Sequence, residues 1–224
     1  MEISGDAKEL RVETKTPESK RGIRLSVNYE IHLPAVANLD LKSSNGAVRV
    51  EGVQGTIDAH TSNGSVTGER LIGPIEVSTS NGKITLLESE GDARMSTSNG
   101  SVRCENVKGS VVVTTSNGGV SCENVSGGVN IRTSNGGVKI IGPEPLEATD
   151  TITCHTSNGS IHLSLSSESQ FNLDAGTSNG GISTEFPVTT SGKISKKRLV
   201  GTVGDGGPEV QLRTSNGSIS IKKR

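Results

Sequence analysis

Thr61-Ser62-Asn63-Gly64 recurs at Thr79–Gly82, Thr97–Gly100, Thr115–Gly118, Thr133–Gly136, Thr156–Gly159, Thr177–Gly180 and Thr214–Gly217. A first copy, Ser43–Gly46, differs only in its opening residue. The copies starting at 43, 61, 79, 97, 115 and 133 are each 18 residues apart, and the later intervals are 23, 21 and 37. A fixed period of this size marks a repeat architecture, in which each unit buries its apolar side against its neighbour.

Working outward from the tetrapeptide, the second residue after each Asn-Gly is Val or Ile, as at Val48, Ile84, Val120 and Ile219. Two positions on come mostly apolar or small residues, including Val50, Leu86, Cys104, Cys122 and Leu163. A Gly follows at Gly55, Gly73, Gly91, Gly109 and Gly127, then an alternating pair such as Ile75/Val77 or Val111/Val113. Period-two alternation in β-branched residues, bounded by Gly and Asn-Gly, predicts two short strands per repeat. No window has a helical apolar period, so the chain is all-β.

Two all-β folds compete. Asn-Gly between alternating runs is a hairpin signal, which would give an antiparallel meander of roughly eighteen strands. Open twisted sheets rarely exceed about ten strands, and a closed barrel of about sixteen leaves a channel that Val, Ile and Ala cannot fill. A single-chain β-solenoid accounts for the columns better: each 18-residue coil pairs with the next, stacking identical residues about 4.8 Å apart. The general crossover preference makes it a right-handed parallel β-helix, about 45 Å long by coil count. In this reading the corner residues are Asn45, Gly46, Asn63, Gly64, Asn81, Gly82, Asn99, Gly100, Asn117, Gly118, Asn135, Gly136, Asn158, Gly159, Asn179, Gly180, Asn216 and Gly217. Asn and Gly supply positive φ there, and the stacked Asn side chains hydrogen-bond in a ladder.

Residues 1–42 lack the repeat and read as an N-terminal β cap. In it Ile23, Leu25, Val27, Tyr29 and Ile31 alternate, with a weaker strand at Leu10/Val12. Residues 43–224 form one continuous solenoid domain with insertions at 143–149 and 187–208, the second projecting as a hairpin or loop. Tyr29, Phe171 and Phe186 are the only aromatics and the formal net charge is −1. The core is therefore narrow, and nothing global points to nucleic acid or a membrane surface. No apolar run is long enough to cross a bilayer. The opening Met-Glu-Ile-Ser-Gly-Asp is unlike a signal peptide, so the chain is cytoplasmic or an export segment lies outside it.

Each candidate for chemistry has a plainer explanation. Gly176-Thr-Ser178-Asn-Gly180 matches a nucleophile elbow, but that motif needs a helix after the Ser, and the same Ser recurs at every corner. Glu51, Glu69, Glu105 and Glu123 share a column, at a spacing near that of a retaining glycosidase pair. Leu87 interrupts it, and Arg103 and Lys108 are placed to neutralise it. Cys104 and Cys122 share an inward column and Cys154 lies in another; parallel Cβ vectors suit a disulfide poorly, and buried free thiols fit. His60, His155 and His162 point outward and His32 lies in the cap, without metal-ligand spacing. The repeats lack the Asp of calcium-binding solenoids. Gly201–Gly207 precedes a strand rather than a phosphate-binding helix, and Lys196–Arg198 lacks the interleaved aromatics of a nucleic-acid patch. No catalytic residue, metal or cofactor is expected. The outward positions His60, Ser78, Ser96, Thr114 and Arg132 are too mixed for an ice-binding Thr grid.

The Thr-Ser-Asn-Gly-x-Val/Ile repeats resemble a bacterial and archaeal family of β-strand-repeat domains of unknown function that carries the label adhesin. The lead-in Ile31-His-Leu-Pro34 to Leu41 and the closing Phe186-Pro187-Val188 to Ile219 extend the resemblance over nearly the whole chain. It implies a β-solenoid, commonly preceded by a signal or membrane segment, with no established catalytic residues. The expectation is a non-enzymatic, extracytoplasmic module of the cell envelope presenting polar ladders to a protein or glycan partner. The outward columns and the 187–208 loop would make the contacts. A carbohydrate-active β-helix enzyme and an intracellular scaffold are the alternatives. Ligand identity and oligomeric state stay open.

Overall fold

The computed structural model describes residues 2–5, 10–14, 27–144, 146–190 and 195–224. Two compact units emerge, Met1–His32 and Leu33–Arg224. In the first, Leu10–Glu13 pairs antiparallel with Glu2–Gly5. The strand at Leu10/Val12 thus exists, but its partner is the N-terminal stretch rather than the alternating run. Ile23 and Leu25 lie outside the described residues. Val27, Tyr29 and Ile31 are exposed and in no strand; alternation makes a strand only where a buried face receives it.

The second unit is a β-solenoid of two sheets. Strands entering the Thr-Ser-Asn-Gly corners, such as Ile75–Thr79 and Val111–Thr115, form a ten-stranded leading sheet. Strands leaving the corners, such as Ile84–Glu90 and Val102–Lys108, form a nine-stranded trailing sheet. Pairing is parallel and in register: Ile75 stacks on Ala93, Val111 and Val129, and Ile84 on Val102, Val120 and Val138. Apolar faces of both sheets, with Val111, Val113, Ile131, Ile161 and Leu163 at 0% exposure, meet in one core. Leu39–Ser43 pairs in parallel with Ile57–Thr61, so the solenoid starts inside the stretch read as cap.

A third inward column, Val53, Leu71, Ser89, Val107 and Val125, is also buried. It follows a left-handed residue in each coil: Gly52, Arg70, Glu88, Asn106 and Asn124, with φ of 68, 53, 49, 55 and 52°. That residue turns the chain so that the next side chain points inward. Within the polar–apolar alternation it looks like one mismatch, which conceals a bend.

Sequential stacking fails at the last two coils. Beyond Ile152–Thr156 the leading sheet runs Glu209–Thr214, Phe171–Thr177, Arg198–Val203. The trailing sheet likewise places Ile219–Lys223 between Ile161–Leu165 and Ile182–Thr184. The C-terminal coil therefore fills a slot between two coils that precede it in sequence. The described part of the 187–208 insertion does not project: Arg198–Val203 lies antiparallel along Phe171–Thr177, burying Val203 and covering that edge. Satisfying an open sheet edge outweighs leaving the segment in solvent. The 143–149 insertion is a turn pinned by buried Asp150, whose carboxylate accepts from Gly127 N at 2.6 Å and Glu147 N at 2.7 Å.

Candidate functional site

At each corner the Thr hydroxyl is buried and donates to the Gly carbonyl of the neighbouring coil, as from Thr79 to Gly64 at 3.0 Å and from Thr156 to Gly136 at 3.0 Å. At Thr61, Thr79 and Thr97 the same oxygen accepts from the Gly N–H of its own corner, as from Gly82 at 3.1 Å. Ser43 does the latter for Gly46 at 2.9 Å, which is why Ser serves in the first copy. Outside, the Asn amides form one continuous ladder. Asn179 donates to Asn216, Asn216 to Asn158, Asn158 to Asn135, and so on through Asn117, Asn99, Asn81 and Asn63 to Asn45, at 2.7–2.8 Å. Ladder and hydroxyl chain report the same spatial coil order, because Thr214 donates to Gly159 and Thr177 to Gly217.

The corner glycines correct an expectation. Neither they nor the corner Asn residues have positive φ. A Cβ on Gly82, Gly100 or Gly118 would stand 1.7 Å from the carbonyl oxygen of the equivalent Gly one coil away, and on Gly64, Gly136, Gly159, Gly180 or Gly217 between 1.9 and 2.1 Å. Glycine is demanded by backbone-to-backbone approach. Positive φ belongs to the opposite side of the coil, at Gly73, Gly91 and Gly109.

Three of the acidic column's four carboxylates, Glu51, Glu69 and Glu105, are ion-paired, and Glu123 makes no ion pair among the described residues. Glu51 stacks on Glu69 and Glu105 on Glu123, with Leu87 between the two pairs. Arg49 bonds Glu51 at 3.1 Å and Glu69 at 3.0 Å, Arg70 pairs with both, and Arg103 meets Glu105 at 2.5 Å. The Arg49 hydrogen bond, then the Arg70 charge, hold the Glu51 carboxyl below its ordinary value. Lys108 makes no ion pair among the described residues. A general acid needs a raised carboxyl; Glu51 is shifted the other way.

Cys104 and Cys122 are registered neighbours, and all three cysteines are free and buried. Hydrogen bonding to Cys122, then burial, push the Cys104 thiol well up, and burial pushes Cys154 to about 12. Both are protonated, apolar fillers at neutral pH. Ser178 sits at a corner where its N–H reaches Thr214 O at 3.3 Å, with a strand rather than a helix next. His60 contacts Ser78 and Asp58; His155 and His162 are exposed on different sheets. Among the described residues no group of three or more His, Cys, Asp or Glu could hold a metal ion.

What inspection of the sequence missed is a groove. It runs beside the corners along the trailing sheet, with a volume of about 420 Å³. Gly119 and Gly137 leave its floor bare, and Lys83, Arg103, Lys139 and His162 line it. The signal was present as the doublets Gly118-Gly119 and Gly136-Gly137 in adjacent coils, where most other coils have Ala, Ser or Lys after the corner Gly; a third doublet, Gly180-Gly181, lies away from the groove.

No curated protein and no solved structure matches the chain. A family model, Toastrack DUF4097, matches residues 72–222, a span that begins just after Leu71 of the third inward column and ends in the C-terminal strand of the slotted-in coil. More than half of the chain, including the groove and the corners from Thr79 onward, thus falls within one described β-repeat domain of unknown function: the chain belongs to the Toastrack DUF4097 family.

Proposed function

We propose that this Toastrack domain is a non-enzymatic interaction module of the cell envelope that holds a protein or glycan partner against its outer face. The observation that carries the reading is how the polar side chains are used. Corner Thr hydroxyls bond Gly carbonyls of the neighbouring coil, corner Asn amides bond one another, and Glu51, Glu69 and Glu105 are neutralised by arginines. One concave strip of the trailing sheet carries Lys83 and Lys139, which make no ion pair among the described residues. A concave site with a few polar groups on a stiff scaffold suits recognition. Catalysis would further need paired groups of opposed protonation state. The envelope location follows from the adhesin-labelled resemblance.

The test is protease added to cells expressing the native product with a C-terminal tag, before and after lysis. Tag loss in intact cells supports surface display. Protection until lysis would sink the envelope location and leave an internal scaffold, whose partners a pull-down would identify.

A further inference from the structure

The groove differs from the rest of the outer surface in three ways. First, its floor is bare without structural necessity. A Cβ on Gly118 would collide with backbone at 1.7 Å, whereas on Gly119 and Gly137 it would meet nothing nearer than 3.4 and 3.6 Å, and neither residue has positive φ. Equivalent positions hold Ala47, Ser65, Lys83, Ser101, Ser160 and Ser218, and a third glycine, Gly181, stands in the coil at the end of the trailing sheet. The fold accepts side chains there, and these two adjacent coils omit them.

Second, the charge lining the groove is of one sign. Lys83, Arg103, Lys139 and His162 line it and no carboxylate does. Glu105 and Glu123 lie two residues further along their strands, outside it, and Arg103 already answers Glu105. Lys83 and Lys139 have no ion pair among the described residues. They sit three coils apart, about 14 Å along the stack, so positive charge is spread along a line.

Third, the walls carry hydroxyls. Ser101, Ser121 and Ser160 contribute hydroxyls, while Val102, Val120 and Val138 turn inward at 3% exposure or less, so that they offer mainly backbone. No aromatic lines it, which removes the stacking platform that single-stranded nucleic acid uses. The groove's only apolar lining side chains, Val102, Val120 and Val138, are buried and give a peptide side chain no anchor. A linear, hydroxyl-rich polymer with repeated negative charge matches all three features.

We propose that the groove binds an acidic polysaccharide, a uronate or sulfated glycan, laid along the stacking axis. Its chain backbone would pass over Gly119 and Gly137 and its anionic groups would meet Lys83, Arg103 and Lys139. This rests on the reading of the domain as a binding module, and not on where in the cell the domain lies.

The experiment titrates the purified full chain with oligogalacturonate and with dextran sulfate, using methyl-esterified oligogalacturonate and plain dextran as uncharged controls. Preferential binding of either acidic polymer, weakening with added salt, is expected. The Lys83→Ala/Lys139→Ala double variant should lose roughly tenfold or more in affinity. Filling the floor with Gly119→Gln/Gly137→Gln should abolish binding at an unchanged melting temperature. Equal binding of the uncharged controls, no binding of either acidic polymer, or indifference to both double variants would overturn the proposal. So would tighter binding of poly-glutamate or a single-stranded oligonucleotide. Failure of the envelope reading shows separately, as protease protection in intact cells, and leaves the titration to stand or fall alone.

Discussion

Two adjacent glycines at one corner are kept for different reasons. Gly118 lies where the backbones of neighbouring coils touch, and any side chain must push Gly100 away. Gly119 faces an open groove. Gly118→Ala should therefore destabilise by more than about 3 kcal/mol, since a rigid backbone atom has to move. Gly119→Ala should change stability by less than about 0.5 kcal/mol, as surface substitutions do. Thermal melts of the two variants decide the matter, and equal shifts would mean that the corner is not close-packed. Both glycines were legible in the sequence as part of a repeat. Their difference was not, because it depends on a carbonyl contributed by another coil.

Among the elements, the first strands of the trailing sheet carry an ionic staple, Arg49 and Arg70 against Glu51 and Glu69. Glu51 in the folded chain titrates below its ordinary value of 4.5. A depressed carboxylate contributes stability that is present above the unfolded value and is lost as pH falls through the lower folded one. Wild type should thus melt above Glu51→Gln at about pH 7, and the gap should narrow as pH falls below the ordinary value. A gap unchanged at acid pH would assign the effect to packing. The register that makes this staple was readable, since Glu51 and Glu69 are 18 residues apart. The bend beside it was not, because Arg70 and Glu88 occupy a left-handed position for which glycine would be the expected marker.

The whole solenoid closes out of order. The coil Phe171–Thr184 touches the rest of the stack through Glu209–Lys223, which lies between it and Ile152–Leu165. Deleting residues 209–224 should free that coil and the edge strand Arg198–Val203 together, while the coils up to Leu165 stay folded, as expected for nearest-neighbour stacks. Hydrogen exchange or limited proteolysis would show protection lost from about residue 166 onward. Retained protection there would mean that Phe171–Thr177 re-pairs with Ile152–Thr156, which the shared Thr-Ser-Asn-Gly corner makes the natural competitor.

Taken by itself, the sequence determined the repeat, the all-β class, the in-register columns and the stacked Asn ladder. Each of these follows from one local period written many times, so the same contact is specified at every coil. Tertiary structure alone decided the order of the last coils, the covering of the edge by Arg198–Val203, the reason for the corner glycines and the presence of the groove. These depend on which backbone lies opposite which. A period that repeats nearly the same corner at every level is compatible with more than one stacking order, and the choice falls to the insertion and the edge it must cover.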